Sequence, residues 1–230
     1  HQEQRRYPLH MVQHYAVKAG DMLRLCDEIV EAVAAGKAMP GAGKVSSSRR
    51  ELVPYGAAVM GEMLRAGEFQ SVVFSALGVR EGYLYSLLDP EEQKVDPLLQ
   101  AAEEMSVLRS RSPVHAGDLI DFTTGLFAAI GVEETAAEQR LRRVACYLAD
   151  IGWRGHPDYR GEQSVDLVAY GSLTGVDHPG RAFLAEVLAV RYMGLKHKSV
   201  SHSLLKLSGT AASGRARLIG AAFRVAYPMS

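Results

Sequence analysis

The sequence predicts a mainly helical protein with a small α/β part in its N-terminal region. One compact β-branched and aromatic run, Ser71–Ser75, has the composition of a strand that is covered on both faces. From Leu98 onward, apolar residues recur at three- and four-residue spacings in segments that glycine and proline separate. We therefore expect a short α/β region followed by an all-α domain.

The first region is predicted to begin with helix. Apolar residues at helical spacing run from Pro8 to about Ala35, and Asp21 is a plausible N-cap where Gly20 interrupts them. His10 and His14 lie one helical turn apart, a spacing that can bind metal. No carboxylate completes an H-E-x-x-H pattern, so a packed helix face is the favoured interpretation.

A second helix leads into the predicted strand. It contains Pro54 in its first turn, where the missing N–H is tolerated, and several small residues that allow close packing against a sheet. After the strand comes Gly78, and Tyr83–Tyr85 is expected to form another short strand.

Pro90 and Pro97 interrupt the chain, so we place a domain boundary there, giving domains 1–95 and 96–230. Helices are predicted over the following ranges: 98–109, 112–130, 133–151, 164–170, 179–192, 199–207 and 214–227. Arginines 140, 142 and 143 are expected to face water, and Asp177 is expected to cap the helix that starts at Pro179.

Composition narrows the class of protein. Lys plus Arg and Asp plus Glu number 26 each among 230 residues, which gives no indication of a nucleic-acid or membrane partner. Cys26 and Cys146 have no ligand-like spacing and are expected to be buried free thiols of a reducing compartment. The cytoplasm is the expected location.

Two separated motifs carry a family resemblance. The first is "SSSRRELVPYGAAVMGEML…VVFSALGVREGYLY", and the second is "LADIGWRGHPDYRGEQS…GVDHPGRAFLA". Together they resemble the exopolyphosphatase and guanosine pentaphosphate phosphohydrolase family. The matching positions of the first motif are Arg50, Gly56, Ser75, Gly78, Val79, Arg80, Glu81 and Gly82.

The resemblance implies a fold. Domain 1–95 is expected to be the C-terminal remnant of the second actin-like (ribonuclease H-like) domain, and domain 96–230 an all-α HD-like domain. The sequence contains neither the D-x-G-x-x-S nor the G-G-G-S phosphate loop of such enzymes. The resemblance places these loops, and the catalytic residues, before His1.

The resemblance also implies an activity, which is hydrolysis of terminal phosphoanhydride bonds of polyphosphate or guanosine pentaphosphate (pppGpp) with Mg²⁺. It implies a homodimer as well. Because the phosphate loops are absent, we expect this chain alone to have little or no activity, and we assign it no catalytic residue or metal ligand.

Candidate phosphate-binding residues in the first motif are Arg50, Gly78, Arg80, Glu81 and Gly82, since arginine binds phosphate bidentately. The favoured alternative is that Arg80 and Glu81 form an ion pair that fixes the turn. For Arg50, phosphate binding and a position at a solvated helix start are equally supported.

A metal-dependent alternative rests on His115, Asp150, His156 and His178, whose order resembles the HD phosphohydrolases. Ala149 replaces the histidine of the His–Asp doublet, so we expect a degenerate pocket. A third possibility is a non-catalytic module for polyphosphate binding or dimerisation, with a basic cluster at Lys196, His197, Lys198 and His202.

Overall fold

A computed structural model describes Gln2, residues 5–198 and residues 200–229, and it confirms the mainly α class. These residues form twelve α-helices and a sheet of two strands. Contacts divide the chain into two compact units. The N-terminal unit comprises Val12–Ala76 with His1–Arg5, and the C-terminal unit comprises Leu77–Ser230 with Arg6–Met11. The domain boundary predicted near residue 95 stays a prediction.

The N-terminal unit combines a strand pair with helices. Its elements in order are β1 (Tyr15–Lys18), α1 (Ala19–Ala34), α2 (Ser47–Arg50), α3 (Val53–Gly67) and β2 (Ser71–Phe74). The strands are antiparallel, and Tyr15 lies opposite Phe74. Helix α1 packs on α3 over a small core of Cys26, Ile29, Met39 and Ala57.

Two predictions for this unit are wrong. Residues 8–14 are not helical and Tyr15–Lys18 is a strand, because its alternating residues Tyr15 and Val17 are buried. His14 has φ +59°, so His10 and His14 do not share a helix. Strand β2 is not covered on both faces: it pairs only with β1 among the described residues, and Val73 is 59% exposed.

Nine helices of the described chain belong to the C-terminal unit. They are α4 (Val79–Ser86), α5 (Pro90–Gln93), α6 (Pro97–Arg109), α7 (His115–Ala129), α8 (Ala136–Leu148), α9 (Arg160–Ala169), α10 (His178–Met193), α11 (His202–Ser208) and α12 (Thr210–Ala226). A 3₁₀ turn, Tyr227–Met229, follows α12.

Helix α10 is the centre of this unit. Every residue from Gly180 to Val190 is buried, and the helix packs on α8, α9, α11 and α12. Its buried Arg181 donates hydrogen bonds to the carbonyl oxygens of Val168, in the last turn of α9, and of Gly171, which follows that helix. Because the helix has no solvent-exposed face from Gly180 to Val190, its residues there are apolar or small except for the buried Arg181 and Glu186.

Most helices predicted for this unit are confirmed. Asp177 caps α10 as expected, since its Oδ1 accepts the Gly180 N–H at 2.8 Å. The prediction of a strand at Tyr83–Tyr85 is wrong, because these residues lie in α4. The Glu81 side chain accepts the Gly78 N–H at 2.7 Å, and this hydrogen bond stabilises the start of the helix. Ser199, the expected first residue of α11, lies outside the described residues.

The arginines of α8 differ from one another. Arg143 is exposed as predicted, but Arg142 is buried, with a side chain that is 2% exposed and paired to Glu134 at 2.8 Å. Arg140 is partly buried against Asp96. The prediction that all three face water is therefore wrong for Arg142.

Both cysteines are free and buried, as expected. No helix within the described ranges combines the length and apolar character that a membrane crossing requires.

Candidate anion-binding site

The loop after α8 lies unusually close to α9 and α10. A Cβ built on Gly152 would come within 2.2 Å of the Ser164 Oγ and 2.8 Å of the Arg160 carbonyl oxygen, so only glycine fits there. The Gly152 N–H donates to the Tyr192 hydroxyl at 3.2 Å. This approach places Trp153, which follows Gly152, beside the start of α9.

The start of α9 and the end of α10 also lie close together. A Cβ on Gly161 would meet the side chains of Tyr192 and Met193 at 3.0 Å. The small residue therefore brings Arg160 next to the last turn of α10, where Arg191 and Tyr192 lie.

Three arginines alternate with three aromatic rings across these elements. We call this set the arginine–aromatic series: Arg111, Trp153, Arg160, Tyr192, Arg191 and Tyr227. The Arg111 guanidinium lies 5.0 Å from the centre of the Trp153 ring, and that of Arg160 lies 6.0 Å from the same ring. The Arg191 guanidinium lies 4.9 Å from the Tyr192 ring and 3.6 Å from the Tyr227 ring. Such contacts with aromatic rings restrict the orientation of each guanidinium.

Two clefts border Tyr227. The first has a volume of about 300 Å³, and its charged lining residues are Asp158, Arg160, Arg191 and Arg224. Three cations and one carboxylate give it an excess of positive charge. Arginine forks are the side chains best suited to phosphate oxygens, so the first cleft is the best candidate for binding a phosphorylated anion.

The second cleft has a volume of about 290 Å³ and is more mixed in charge. Arg111, His115, Asp118 and Asp150 line it together with Tyr227. Asp150 accepts the Arg111 backbone N–H at 3.2 Å, and its Oδ1 lies 3.9 Å from a terminal nitrogen of Arg191. Asp150 thus holds two members of the arginine–aromatic series in place.

The tyrosines keep their protons in this environment. Burial, followed by the negative charge of Asp150, raises the pKa of both Tyr192 and Tyr227. Their hydroxyls therefore remain hydrogen-bond donors throughout the neutral range.

The structure brings together only two of the four residues of the predicted HD-like pocket. His115 and Asp150 line the second cleft, where His115 lies 3.5 Å from Asp118 and edge-on to the Tyr227 ring. His178 is buried at the start of α10 and its Nδ1 lies 2.8 Å from the Tyr7 hydroxyl. The His156 side chain is 65% exposed and lies near Asp158.

No group of three or more His, Cys, Asp or Glu residues with metal-binding geometry occurs in the part of the chain that the structure describes. The four HD-like residues therefore do not provide a shared metal centre among those positions.

The candidate phosphate-binding residues of the first motif lie at the end of α2 and at the start of α4. Arg80 is the second residue of α4, its side chain is 86% exposed, and its Nε lies 3.4 Å from the Glu81 Oε1. The ion pair of the favoured alternative is thus present, although it lies in the first turn of a helix and not between two strands. Arg50 ends α2 in the N-terminal unit and donates to the Val45 carbonyl oxygen at 3.2 Å.

The predicted basic cluster is weaker than the sequence suggested. Lys196, Lys198 and His202 are exposed, but His197 is partly buried. Burial and the nearby positive charge of Arg217 lower the pKa of His197, so it adds no positive charge at neutral pH.

Sequence reasoning missed most of the arginine–aromatic series. Trp153 and Arg160 occur within the second motif, but no member of the series was predicted to bind a ligand. The available signal was the adjacency of cation and ring in Tyr159-Arg160 and Arg191-Tyr192, near the ends of two helices.

Comparison with known proteins adds one finding. The family model described as "Exopolyphosphatase, C-terminal" matches residues 98–230, which includes every member of the arginine–aromatic series. No curated protein matches the chain.

Proposed function

Because the chain belongs to the exopolyphosphatase C-terminal family over residues 98–230, we propose that it contributes phosphate-chain binding to an enzyme that hydrolyses terminal phosphoanhydride bonds of polyphosphate or guanosine pentaphosphate. The observation that carries this proposal is the positive charge of the first cleft. This cleft has a volume of about 300 Å³, and it is lined by Arg160, Arg191 and Arg224.

Arginine suits this task for a geometric reason. Each guanidinium offers parallel N–H donors that match two phosphate oxygens, and it keeps its charge at every relevant pH. The rings of Tyr192 and Tyr227 restrict the movement of Arg191 before any ligand arrives. A pre-oriented cation loses less conformational entropy on binding, which favours a long polyanion that contacts several arginines at once.

Our proposal assigns no chemical step to this chain. The sequence contains no D-x-G-x-x-S or G-G-G-S phosphate loop. Magnesium, which the family resemblance implies, usually binds one or two protein carboxylates together with substrate phosphates. The described residues supply no group of three metal-binding side chains, so they do not fit a protein-bound metal centre and we assign the ion no ligand.

Binding of long-chain polyphosphate to the purified chain, measured by calorimetry over a range of salt concentrations, tests the proposal. For a flexible polyanion, each cation–phosphate contact contributes about −0.7 to the slope of log affinity against log salt. Three contacting arginines therefore predict a slope of about −2, and Arg160→Gln or Arg224→Gln is expected to make that slope less negative by about 0.7.

Arg143→Gln is the matched control, because Arg143 is an exposed arginine of the same unit that lines neither cleft. Equal losses in Arg143→Gln and Arg224→Gln would show unspecific charge attraction and contradict the proposal.

Phosphate release separates binding from catalysis. We expect the chain alone to bind polyphosphate without turnover. Turnover that disappears in His115→Ala and Asp150→Ala would instead favour the HD-type phosphohydrolase alternative, because these two residues share the second cleft.

A further inference from the structure

The N-terminal unit contains a cavity larger than either of the two clefts, and the proposed function does not use it. A groove of about 770 Å³ runs between α1, the loop that follows it and the start of α3. Its apolar wall consists mainly of Val30, Val33, Met39, Pro54, Tyr55 and Ala58. This volume lies within the range of about 300–1,000 Å³ that is usual for small-molecule sites.

The groove is shaped by the backbone and has a buried floor. Gly36 and Gly41, with φ of +68° and +74°, flank the segment that carries Met39. Met39 is 6% exposed because it packs into the small core of this unit. The outer wall is open, since Tyr55 is 74% and Val33 is 43% exposed.

The charges on the rim indicate the class of ligand. Lys37, Arg50 and Glu51 are the charged residues among those that line the groove, which leaves an excess of one positive charge. One guanidinium nitrogen of Arg50 donates to the Val45 carbonyl oxygen at 3.2 Å, which holds the side chain near the groove. A ligand that fits both the wall and the rim has an apolar tail and an anionic head.

We propose that this groove binds a small anionic amphiphile of the long-chain carboxylate class, with its tail on the aliphatic wall and its head group near Lys37 and Arg50. The site is separate from the arginine–aromatic series in its residues and in its ligand. A purely ionic ligand such as polyphosphate would leave the apolar wall uncovered.

Chain length gives the sharpest test. Octanoate, decanoate and dodecanoate are titrated into the intact chain by calorimetry, each below its micelle concentration. Every buried methylene is expected to raise the affinity about fourfold, so each two-carbon step is expected to raise it about fifteenfold. Equal affinities across the series, or displacement of dodecanoate by polyphosphate, would overturn the proposal.

Two pairs of variants locate the site. Ala58→Trp fills the groove from an exposed position of α3 and is expected to abolish dodecanoate binding, whereas Met63→Trp, exposed on the same helix outside the groove, is expected to preserve it. Arg50→Glu is expected to weaken binding three- to tenfold, and its neighbour Arg49→Glu is expected to leave it unchanged.

Unchanged melting temperatures show that these surface variants remain folded. If Ala58→Trp and Met63→Trp bind dodecanoate equally, the groove is not the site and the proposal is wrong. Self-association of the chain that Ala58→Trp abolishes, without any fatty-acid binding, would also overturn it in favour of a second copy of the chain as the occupant.

Discussion

Removing the partner of Arg142 is expected to destabilise the C-terminal unit strongly. The Arg142 side chain is 2% exposed, and its Nε lies 3.0 and 2.9 Å from the two carboxylate oxygens of Glu134. Its Nη1 donates to the Thr123 and Thr124 hydroxyls at 2.8 and 3.0 Å. In Glu134→Ala the guanidinium stays buried, but it loses the only carboxylate that these contacts provide.

The magnitude follows from the burial of both groups. Breaking a buried ion pair by removing one partner costs about 3–5 kcal/mol, because the remaining charge is neither hydrated nor compensated. In a unit of this size each kcal/mol lowers the melting temperature by about 2–4 °C, so the expected decrease is about 10 °C. Chemical denaturation and thermal scans monitored by circular dichroism measure both quantities.

Two further variants sharpen this test. Glu133→Ala removes the neighbouring exposed carboxylate and is expected to change the free energy of unfolding by less than about 0.5 kcal/mol. The double variant Glu134→Leu/Arg142→Met replaces the pair by apolar groups and is expected to recover most of the loss. If Glu134→Ala costs less than about 1 kcal/mol, the reasoning about an uncompensated buried charge is refuted.

Three other predictions concern packing, acid and alkali. Gly220→Ala is expected to lower the free energy of unfolding by about 1–3 kcal/mol, because the added Cβ would lie 2.6 Å from a carbonyl oxygen of α10. Gly214→Ala on the same helix is expected to raise it by about 0.5–1 kcal/mol, because its Cβ meets nothing within 4 Å. Denaturant titration of both variants measures these changes. The hydrogen bond from Arg140 holds the pKa of Asp96 below its usual range, so the ionised Asp96 stabilises the fold above about pH 4 and this contribution is lost as the pH falls. In Asp96→Asn, the free energy of unfolding should therefore decrease less between about pH 5 and acid pH than in the unmodified chain. An equal decrease in both would contradict this prediction. Burial raises the pKa of Cys146 to about 12, so the free energy of unfolding should fall as the pH rises from about 9 towards 12, where the thiol ionises only in the unfolded chain. A thiol reagent at about pH 8 should also label native Cys146 far more slowly than the same residue in the unfolded chain.

Elements defined by local sequence signals could be predicted. The start of α10 follows from Asp177 and Pro179, because an N-cap acceptor and an early proline act through their immediate neighbours. The buried free thiols also followed from composition and spacing.

Elements that depend on distant partners could not be predicted. The residues from Pro8 to Lys18 have helical spacing, yet Tyr15–Lys18 forms a strand because β2, more than fifty residues later, offers a backbone edge. Arg142 resembles its exposed neighbours in sequence, and its burial depends on Glu134 and two threonines of α7, which are distant from it along the chain.

The candidate site was accessible only in part. His115 and Asp150 were named from the sequence and do share a cleft. The arginine–aromatic series draws on five separate segments, and no local spacing rule connects Arg111 to Trp153 or Arg191 to Tyr227.

The enclosure of α10 has a consequence for the order in which the chain becomes folded during synthesis. This helix packs on α8 and α9, which precede it, and on α11 and α12, which follow it. When α10 leaves the ribosome, half of its surroundings have not yet been translated, so its apolar surface has no complete set of neighbours. The C-terminal unit can therefore reach its native state only after α12 has emerged, and a nascent chain that ends before Thr210 is expected to remain open to proteases and chaperones.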